Sequence, residues 1–262
     1  MKYTLSLLVS GIRNENWNNL YEQMKKSCNR HSFEIIFCSP YALPEELKNI
    51  PNIQYINDYG SPSRCVQRAS TVASGENIAI VSDDGIIHGS AFSNAIDLLK
   101  NSNDPYKNIV ALRYTEGQNF VANSEDFSPK YWHAKYHGDL RLEGIEDDWN
   151  ICLMFLMNTE RFREIGGLDC RFEHYNCNLH DLAFRSQRDG GKILISEEFV
   201  TAHDWEPHRN VHNSPILQAY FFNDKPLFES IYCSKLSSMS REIKIDYDNW
   251  KLQPSKWTRR FK

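Results

Sequence analysis

The sequence has no GxGxxG run and no GxxxxGKS or GxxxxGKT run. The glycine-rich turns that cradle dinucleotides and nucleoside triphosphates are therefore missing. Apolar stretches are short: the longest, Ile151 to Met157, suits one buried strand and falls far below the roughly 20 residues of a membrane helix. No two of the seven cysteines (28, 38, 65, 152, 170, 177 and 233) are spaced as CxxC, which excludes a zinc ribbon or a thioredoxin-type motif. Basic charge is not in excess either. The formal net charge of −4 argues against a nucleic-acid polyanion as the main partner. Met1-Lys2-Tyr3-Thr4 leads directly into a strand-like run without a signal-peptide pattern. Several cysteines, Cys38 and Cys152 among them, lie inside apolar runs, so they are expected to be reduced and buried in a cytoplasmic protein. Neither an internal repeat nor a low-complexity linker is visible.

What is present suits a sizeable core, with 41% hydrophobic and 13% aromatic residues over 262 positions, enough for one large α/β domain or two small ones. Strand-like runs at Tyr3 to Val9, Phe33 to Cys38, Asn52 to Ile56 and Ile78 to Val81 alternate with helical patterns at Asn14 to Arg30 and Ser61 to Ala73, the latter closed by Ser74-Gly75. This alternation predicts an α/β fold, a mostly parallel sheet with helices on both faces. A helix over Ser90 to Lys100 and a strand over Asn108 to Tyr114 follow. Periodicity then fails from Thr115 to Asn150, a long irregular stretch of the kind that is usually functional. Beyond it come a strand at Ile151 to Met157, helices at Thr159 to Ile165 (capped by Thr159) and Leu179 to Arg188, strands at Lys192 to Ser196 and Phe199 to Ala202, and helices at Asn213 to Asn223 and Lys225 to Leu236. The division expected is a main domain over 1–205, split near 114 into two halves, followed by a helical extension and basic tail over 206–262.

Ile78-Ala79-Ile80-Val81-Ser82-Asp83-Asp84-Gly85 is the stretch that carries chemistry. Its apolar run reads as a buried parallel strand, and two carboxylates at the carboxyl end of such a strand sit where open α/β sheets bind ligands. Unpaired charge is costly to bury, so the pair calls for a cation. A plain solvated Asp-Asp-Gly turn is the alternative.

In order and spacing, several segments together resemble the family-2-like glycosyltransferases of GT-A fold. The first strand and helix resemble that family's nucleotide-binding start. Ser74-Gly75-Glu76-Asn77-Ile78-Ala79-Ile80-Val81 resembles its run into the acidic motif, and Ser82-Asp83-Asp84 stands at its DxD-type metal site. Ile165-Gly166-Gly167-Leu168-Asp169-Cys170-Arg171-Phe172 resembles "VGGFDERF", followed by Asp181-Leu182-Ala183-Phe184-Arg185 and Gly190-Gly191-Lys192-Ile193. Two departures stand out. The acid that usually ends the second strand is replaced by Ser39, and the usual Glu-Asp pair falls on Asn178-Leu179.

The resemblance implies an inverting, metal-dependent transfer of a sugar from a nucleotide-diphosphate donor, UDP- or GDP-linked, to a hydroxyl-bearing acceptor. It implies Mn²⁺ or Mg²⁺ on Asp84, with His203 completing the metal shell and Asp83 near the ribose or a metal-bound water. Donor contacts are expected from Ser10, Arg13, Ser39, Arg64, Gln67 and Arg68. Asp181 is the best remaining acid for the catalytic base, although helix capping would also account for it. Asp169, His180 and Trp149 are the candidate acceptor contacts, and the aromatic-rich insert around Tyr131 and Trp132 would stack on sugar rings. The basic tail with Trp257 and Phe261 is expected to be a solvated, partly disordered terminus, with peripheral contact to an anionic membrane surface or a lipid-linked acceptor as the alternative. A nucleotidyltransferase is disfavoured because Ser10-Gly11-Ile12-Arg13 holds one glycine and one basic residue. A catalytically inactive binding module of the same fold remains open.

Overall fold

The computed structural model describes residues 2–116, 152, 154–203, 214–232 and 240–262. The strand–helix alternation of the first half is realised as β1 (Tyr3–Val9), α1 (Trp17–Ser27), β2 (Phe33–Ser39), β3 (Ile53–Asn57), α2 (Pro62–Ser70) and β4 (Gly75–Ile80). Ser61 caps α2 by accepting from the Arg64 N–H, with Pro62 in the first turn, which is the placement its fixed φ favours. The short β5 (Ile86–Ile87), then α3 (Ala91–Lys100) and β6 (Ile109–Glu116), complete this half. The second half contributes β7 (Phe155–Asn158), α4 (Thr159–Glu164), α5 (Tyr175–Arg188) and β8 (Ile193–His203). It ends with α6 (Ser214–Ala219), a π-helical turn over Tyr220–Asp224, and α7 (Lys225–Tyr232).

Eight strands form one mixed sheet in the order β3-β2-β1-β4-β7-β6-β8-β5. The pairs β1–β2, β1–β4, β2–β3 and β6–β8 are parallel, whereas β7 runs antiparallel to both β4 and β6. The chain leaves β1 for β2 and β3 on one side and returns to β4 on the other. The strand order therefore reverses between β1 and β4, and a crevice opens beyond their carboxyl ends.

Neighbouring residues on a strand point to opposite faces, and β1 divides the core accordingly. Leu7 joins Trp17, Leu20, Met24, Phe37 and Phe92 under α1 and α3. Leu8 joins Cys65, Val66, Phe155, Phe162, Leu179 and Leu182 under α2, α4 and α5. A third cluster of Phe172, Cys177, Phe184, Phe228 and Tyr232 fastens α7 to α5. The six described cysteines are free and buried.

Three local expectations differ from the structure. The cap of α4 is Asn158, whose side chain accepts from the Arg161 N–H at 3.0 Å, rather than Thr159. Helix α5 begins a turn earlier than its apolar pattern indicated, because His174 caps it through the Asn176 N–H. The two short strands expected over 192–202 are one strand, β8, and a register shift between Ala111 and Tyr114 of β6 absorbs the irregularity.

The last described segment, 240–262, returns to the first half of the sheet. Trp257 is buried, its N–H donates to the Tyr59 carbonyl at 2.7 Å, and Phe261 lies edge-on against the Tyr59 ring. The expectation of a solvated, partly disordered terminus is thereby corrected: Trp257 and Phe261 have found protein partners.

Candidate functional site

Four loops meet at the sheet reversal: those after β1, β2, β3 and β4. Asp83 is their anchor. Its Oδ2 accepts the N–H groups of Ile12 and Arg13, each at 2.7 Å, and the Trp17 indole N–H at 3.3 Å. Its Oδ1 accepts Arg13 Nη1 at 2.9 Å. Consecutive backbone N–H groups closing on a carboxylate fix the whole turn after β1. Gly11 is required there, because a Cβ at that position would lie 2.8 Å from Asp83 Oδ2 and 2.7 Å from Trp17 Nε1. With four donors on its oxygens and 3% side-chain exposure, Asp83 is a structural anchor of the site rather than its open face.

Asp84 differs. Its side chain is 28% exposed, Arg13 Nη2 lies 3.2 Å from its Oδ2, and the Ser82 hydroxyl donates to its Oδ1. Arg13 thus bridges the two carboxylates. Burial works against its charge, but Asp84 and Asp83 outweigh burial and raise its pKa, so the guanidinium stays protonated. Tyr175, the first residue of α5, lies within the electrostatic field of Asp84, Asp83 and Arg13. Burial, reinforced by the two acids, pushes its phenol up to about 12 and keeps it a neutral hydroxyl. Ser10, Arg13, Asp83 and Asp84 are therefore brought together as the sequence pattern suggested. Trp17 and Tyr175 are additions that it did not single out, since both look like ordinary apolar helix positions.

The backbone also brings His203 to this corner. Strand β5 pairs antiparallel with β8 through Ile86↔Ala202. His203 is the next and last residue of β8.

Other candidates have different employment. Ser39 is fully buried, and its hydroxyl caps the turn after β2 by accepting from the Tyr41 N–H. Arg64 and Arg68 both clamp Asp58, Arg64 with its Nε 3.1 Å from each carboxylate oxygen. Arg64 also donates to the Trp250 and Gln253 carbonyls. Arg64 thus holds the turn after β3 and the final segment and Arg68 holds the same turn, so the two guanidiniums expected at the donor are paired with Asp58. Gln67 is buried and grips the Gly-Gly turn: its Nε2 donates to the Gly166 carbonyl and its Oε1 accepts the Leu168 N–H. Gly166 and Gly167 adopt φ of 88° and 66°, and a Cβ at Gly167 would meet Gln67 Oε1 at 2.3 Å. The motif at 165–168 is thus a left-handed turn locked by α2.

Asp181 is fully buried. It accepts from Arg185 Nε at 2.8 Å, Arg241 Nε at 3.0 Å and the Tyr232 hydroxyl at 2.6 Å. Burial alone would raise its pKa, yet Arg185 and Arg241 pull it down to about 2. A carboxylate so enclosed and so acidic has no means of taking a proton from a hydroxyl. Asp169 pairs with Arg171 and Arg241 and lines a cavity of about 650 Å³. His180 is buried with its ring edge-on to Phe228, and burial pushes its pKa down to about 4. Asn178 stands where an acid was looked for, tying Ser63 to the Asp169 backbone. Trp149, Tyr131, Trp132 and the rest of the aromatic insert lie outside the described residues. Among the described residues no group of three or more His, Cys, Asp or Glu side chains forms a metal cluster, and no helix is long and apolar enough to cross a membrane.

The turn that presents Tyr175 is held by Asp224, at the end of the π-helical turn. Its carboxylate accepts the N–H groups of Glu173 and His174, each at 2.8 Å. Burial raises the Asp224 pKa to about 6, against the hydrogen bonds that favour its charge. The folded state then holds a proton that the unfolded chain releases near pH 4, so this group's contribution is greatest below pH 4 and is lost as pH rises to 6. Asp224→Asn should remove that dependence, worth on the order of 2–3 kcal/mol. Urea denaturation of both proteins from pH 4 to 7 checks it, and parallel slopes for the two would contradict the assignment.

No family model matches the sequence, and no curated protein does. Solved structures do match. Residues 1–349 of Staphylococcus aureus TarS in complex with UDP are 13% identical, with a TM-score of 0.53 over 89% of this chain and 70% of that one. The catalytic domain of Drosophila β1,4-galactosyltransferase 7, in complex with xylobiose, is 14% identical, with a TM-score of 0.52 over 94% of this chain and 83% of that one. At such identities the likeness shows the fold, and it is the GT-A architecture that the order of the motifs implied.

Proposed function

We propose that this chain is an inverting glycosyltransferase that moves a sugar from a UDP- or GDP-linked donor to a hydroxyl-bearing acceptor. The observation that carries the reading is the Arg13–Asp83–Asp84 constellation at the strand reversal of a GT-A sheet. The similar TarS structures include complexes with UDP and with UDP-GlcNAc, which supports a nucleotide-sugar donor here.

The residues fit a divalent cation. Mg²⁺ and Mn²⁺ bound with a nucleotide take one or two carboxylates, the remaining positions going to phosphate oxygens and water. Asp84, the more exposed acid, would supply the carboxylate, and His203, at the end of β8, a further ligand. Such an ion would offset the negative charge that grows on the departing diphosphate. The protein residues do the rest. Asp83 holds Arg13 and the turn after β1 in one geometry, Arg13 presents positive charge toward the diphosphate, and Tyr175 donates a neutral hydroxyl from the opposite wall. Asp181 has no part in the proton transfer on this reading.

A binding module of the same fold is the second reading, favoured by the buried, paired state of Asp181 and by Asn178 at the place of an acid. Incubation with a panel of UDP- and GDP-sugars and Mn²⁺ separates the two. Release of free sugar or transfer, abolished by excess chelator, is the expected result. Binding without turnover for every donor supports the module, and turnover undiminished by chelator removes the metal from the proposal.

A further inference from the structure

We infer that Glu116, the last residue of β6, is a positioning residue for the divalent cation: its carboxylate accepts the ring N–H of His203 and so holds the other imidazole nitrogen ready for the ion. The inference rests on the metal reading above and deepens it.

Two backbone ladders carry it. Strand β8 lies between β6 and β5. Its end pairs in parallel with β6 through Tyr114↔Thr201, Thr115↔Ala202 and Glu116↔His203. On the other flank it pairs antiparallel with β5 through Ile87↔Thr201 and Ile86↔Ala202, and Ile86 stands two residues past Asp84 in the chain. Because β7 is antiparallel to both β4 and β6, strands β6 and β8 run in the direction of β1 and β4. Glu116 and His203 therefore end their strands at the same edge of the sheet as the acidic turn. The irregularity of the ladder is what brings them level. Continued evenly from Ala111↔Ile195, it would set Glu116 opposite Val200; the register shifts around Arg113 carry His203 there instead. Bulges of this kind are common beside sites where a side chain has to be re-aimed.

Partners on neighbouring strands lie about 5 Å apart and share a face of the sheet. Glu116 and His203 are such partners. The others at the end of β8 are Tyr114, Thr115, Ile86 and Ile87, so Glu116 alone among them carries a carboxylate. An imidazole that binds a cation does so through an unprotonated nitrogen and keeps its proton on the other. That N–H needs an acceptor, and a carboxylate in this role fixes the tautomer, orients the ring and makes the ligating nitrogen more basic. The need is acute here, because Mg²⁺ and Mn²⁺ favour oxygen ligands and imidazole is a second choice for them. A carboxylate behind the ring offsets that preference, and Glu116 acts without itself touching the ion.

The test is titration of the full chain with Mn²⁺ in the presence of UDP or GDP, the free ion being followed by electron paramagnetic resonance. Glu116→Ala should weaken Mn²⁺ binding by about 10- to 100-fold, while its thermal midpoint in excess chelator stays that of the wild type. Glu116→Gln keeps an acceptor and loses the charge, so its affinity should fall between the two. A double-mutant cycle then separates positioning from direct ligation. In a His203→Ala background, Glu116→Ala should cost nothing more. Additive losses would overturn the inference, because Glu116 would then act on the ion without His203. Equal Mn²⁺ affinity of the wild type and Glu116→Ala would overturn it too, while loss of binding in Asp84→Ala would leave the metal reading standing. A wild type that binds no Mn²⁺ with either nucleotide would sink both. Should Glu116→Ala not fold, the isosteric Glu116→Gln decides alone: a several-fold loss of Mn²⁺ affinity supports the inference, and wild-type affinity overturns it.

Discussion

Asp181→Ala is expected to cost about 3–5 kcal/mol of stability, the usual result of removing one partner from a buried ion pair. The wild-type carboxylate meets two guanidiniums and a phenol in a site with no solvent exposure. Its loss leaves Arg185, itself fully buried, without its counter-charge while it still donates to the carbonyls of Ile165 and Gly167. The Gly-Gly turn and the segment around Arg241 should loosen together. Urea denaturation measures the effect. A variant that keeps wild-type stability and loses only turnover would mean that Asp181 is the base after all. The acid limb gives an independent sign. The folded pKa of about 2 lies below the ordinary carboxylate value, so the stabilisation is complete above pH 4 and is lost as pH falls toward 2. Asp181→Asn should flatten that limb.

At the donor site the expectation reverses: activity collapses while the fold persists. Asp84→Ala should reduce transfer or donor hydrolysis by about 10²–10³, the scale on which preorganised electrostatic groups act. Its thermal midpoint should move little, since Asp84 is partly exposed. Arg13→Ala should lose a similar factor. Asp83→Ala should lose both activity and stability, because the backbone of Ile12 and Arg13 and the Trp17 indole all depend on it. Initial rates and melting curves of the three variants separate these outcomes. Wild-type turnover by Asp84→Ala would remove it from the reaction.

Several of these assignments were readable before any fold was in hand. The apolar run ending at Asp83 and Asp84 places two acids at a strand's carboxyl end by local pattern alone, and Ser10 to Arg13 follow the first strand in the same way. Such positions are legible because a strand's direction and its end are properties of neighbouring residues. The roles of Arg64, Arg68 and Asp181 were not legible. Each was chosen for its charge, but charge in the chain does not reveal its partner: Asp58, Trp250 and Arg241 lie 6 to 186 positions away. His180, on a helix near the motif, faces Phe228 because α7 covers that side of α5.

By itself, then, the sequence determined the alternating α/β architecture, the order of its motifs and the acidic turn after the fourth strand, since these rest on periodicity and on φ preferences that act over a few residues. Tertiary structure decided which of two adjacent acids anchors and which is more open, because the backbone N–H groups of Ile12 and Arg13 and the Trp17 indole converge on Asp83. It also decided that the basic final segment packs back onto the domain, because its fixings, Tyr59 and Glu173, become neighbours only when the sheet and α5 have come together.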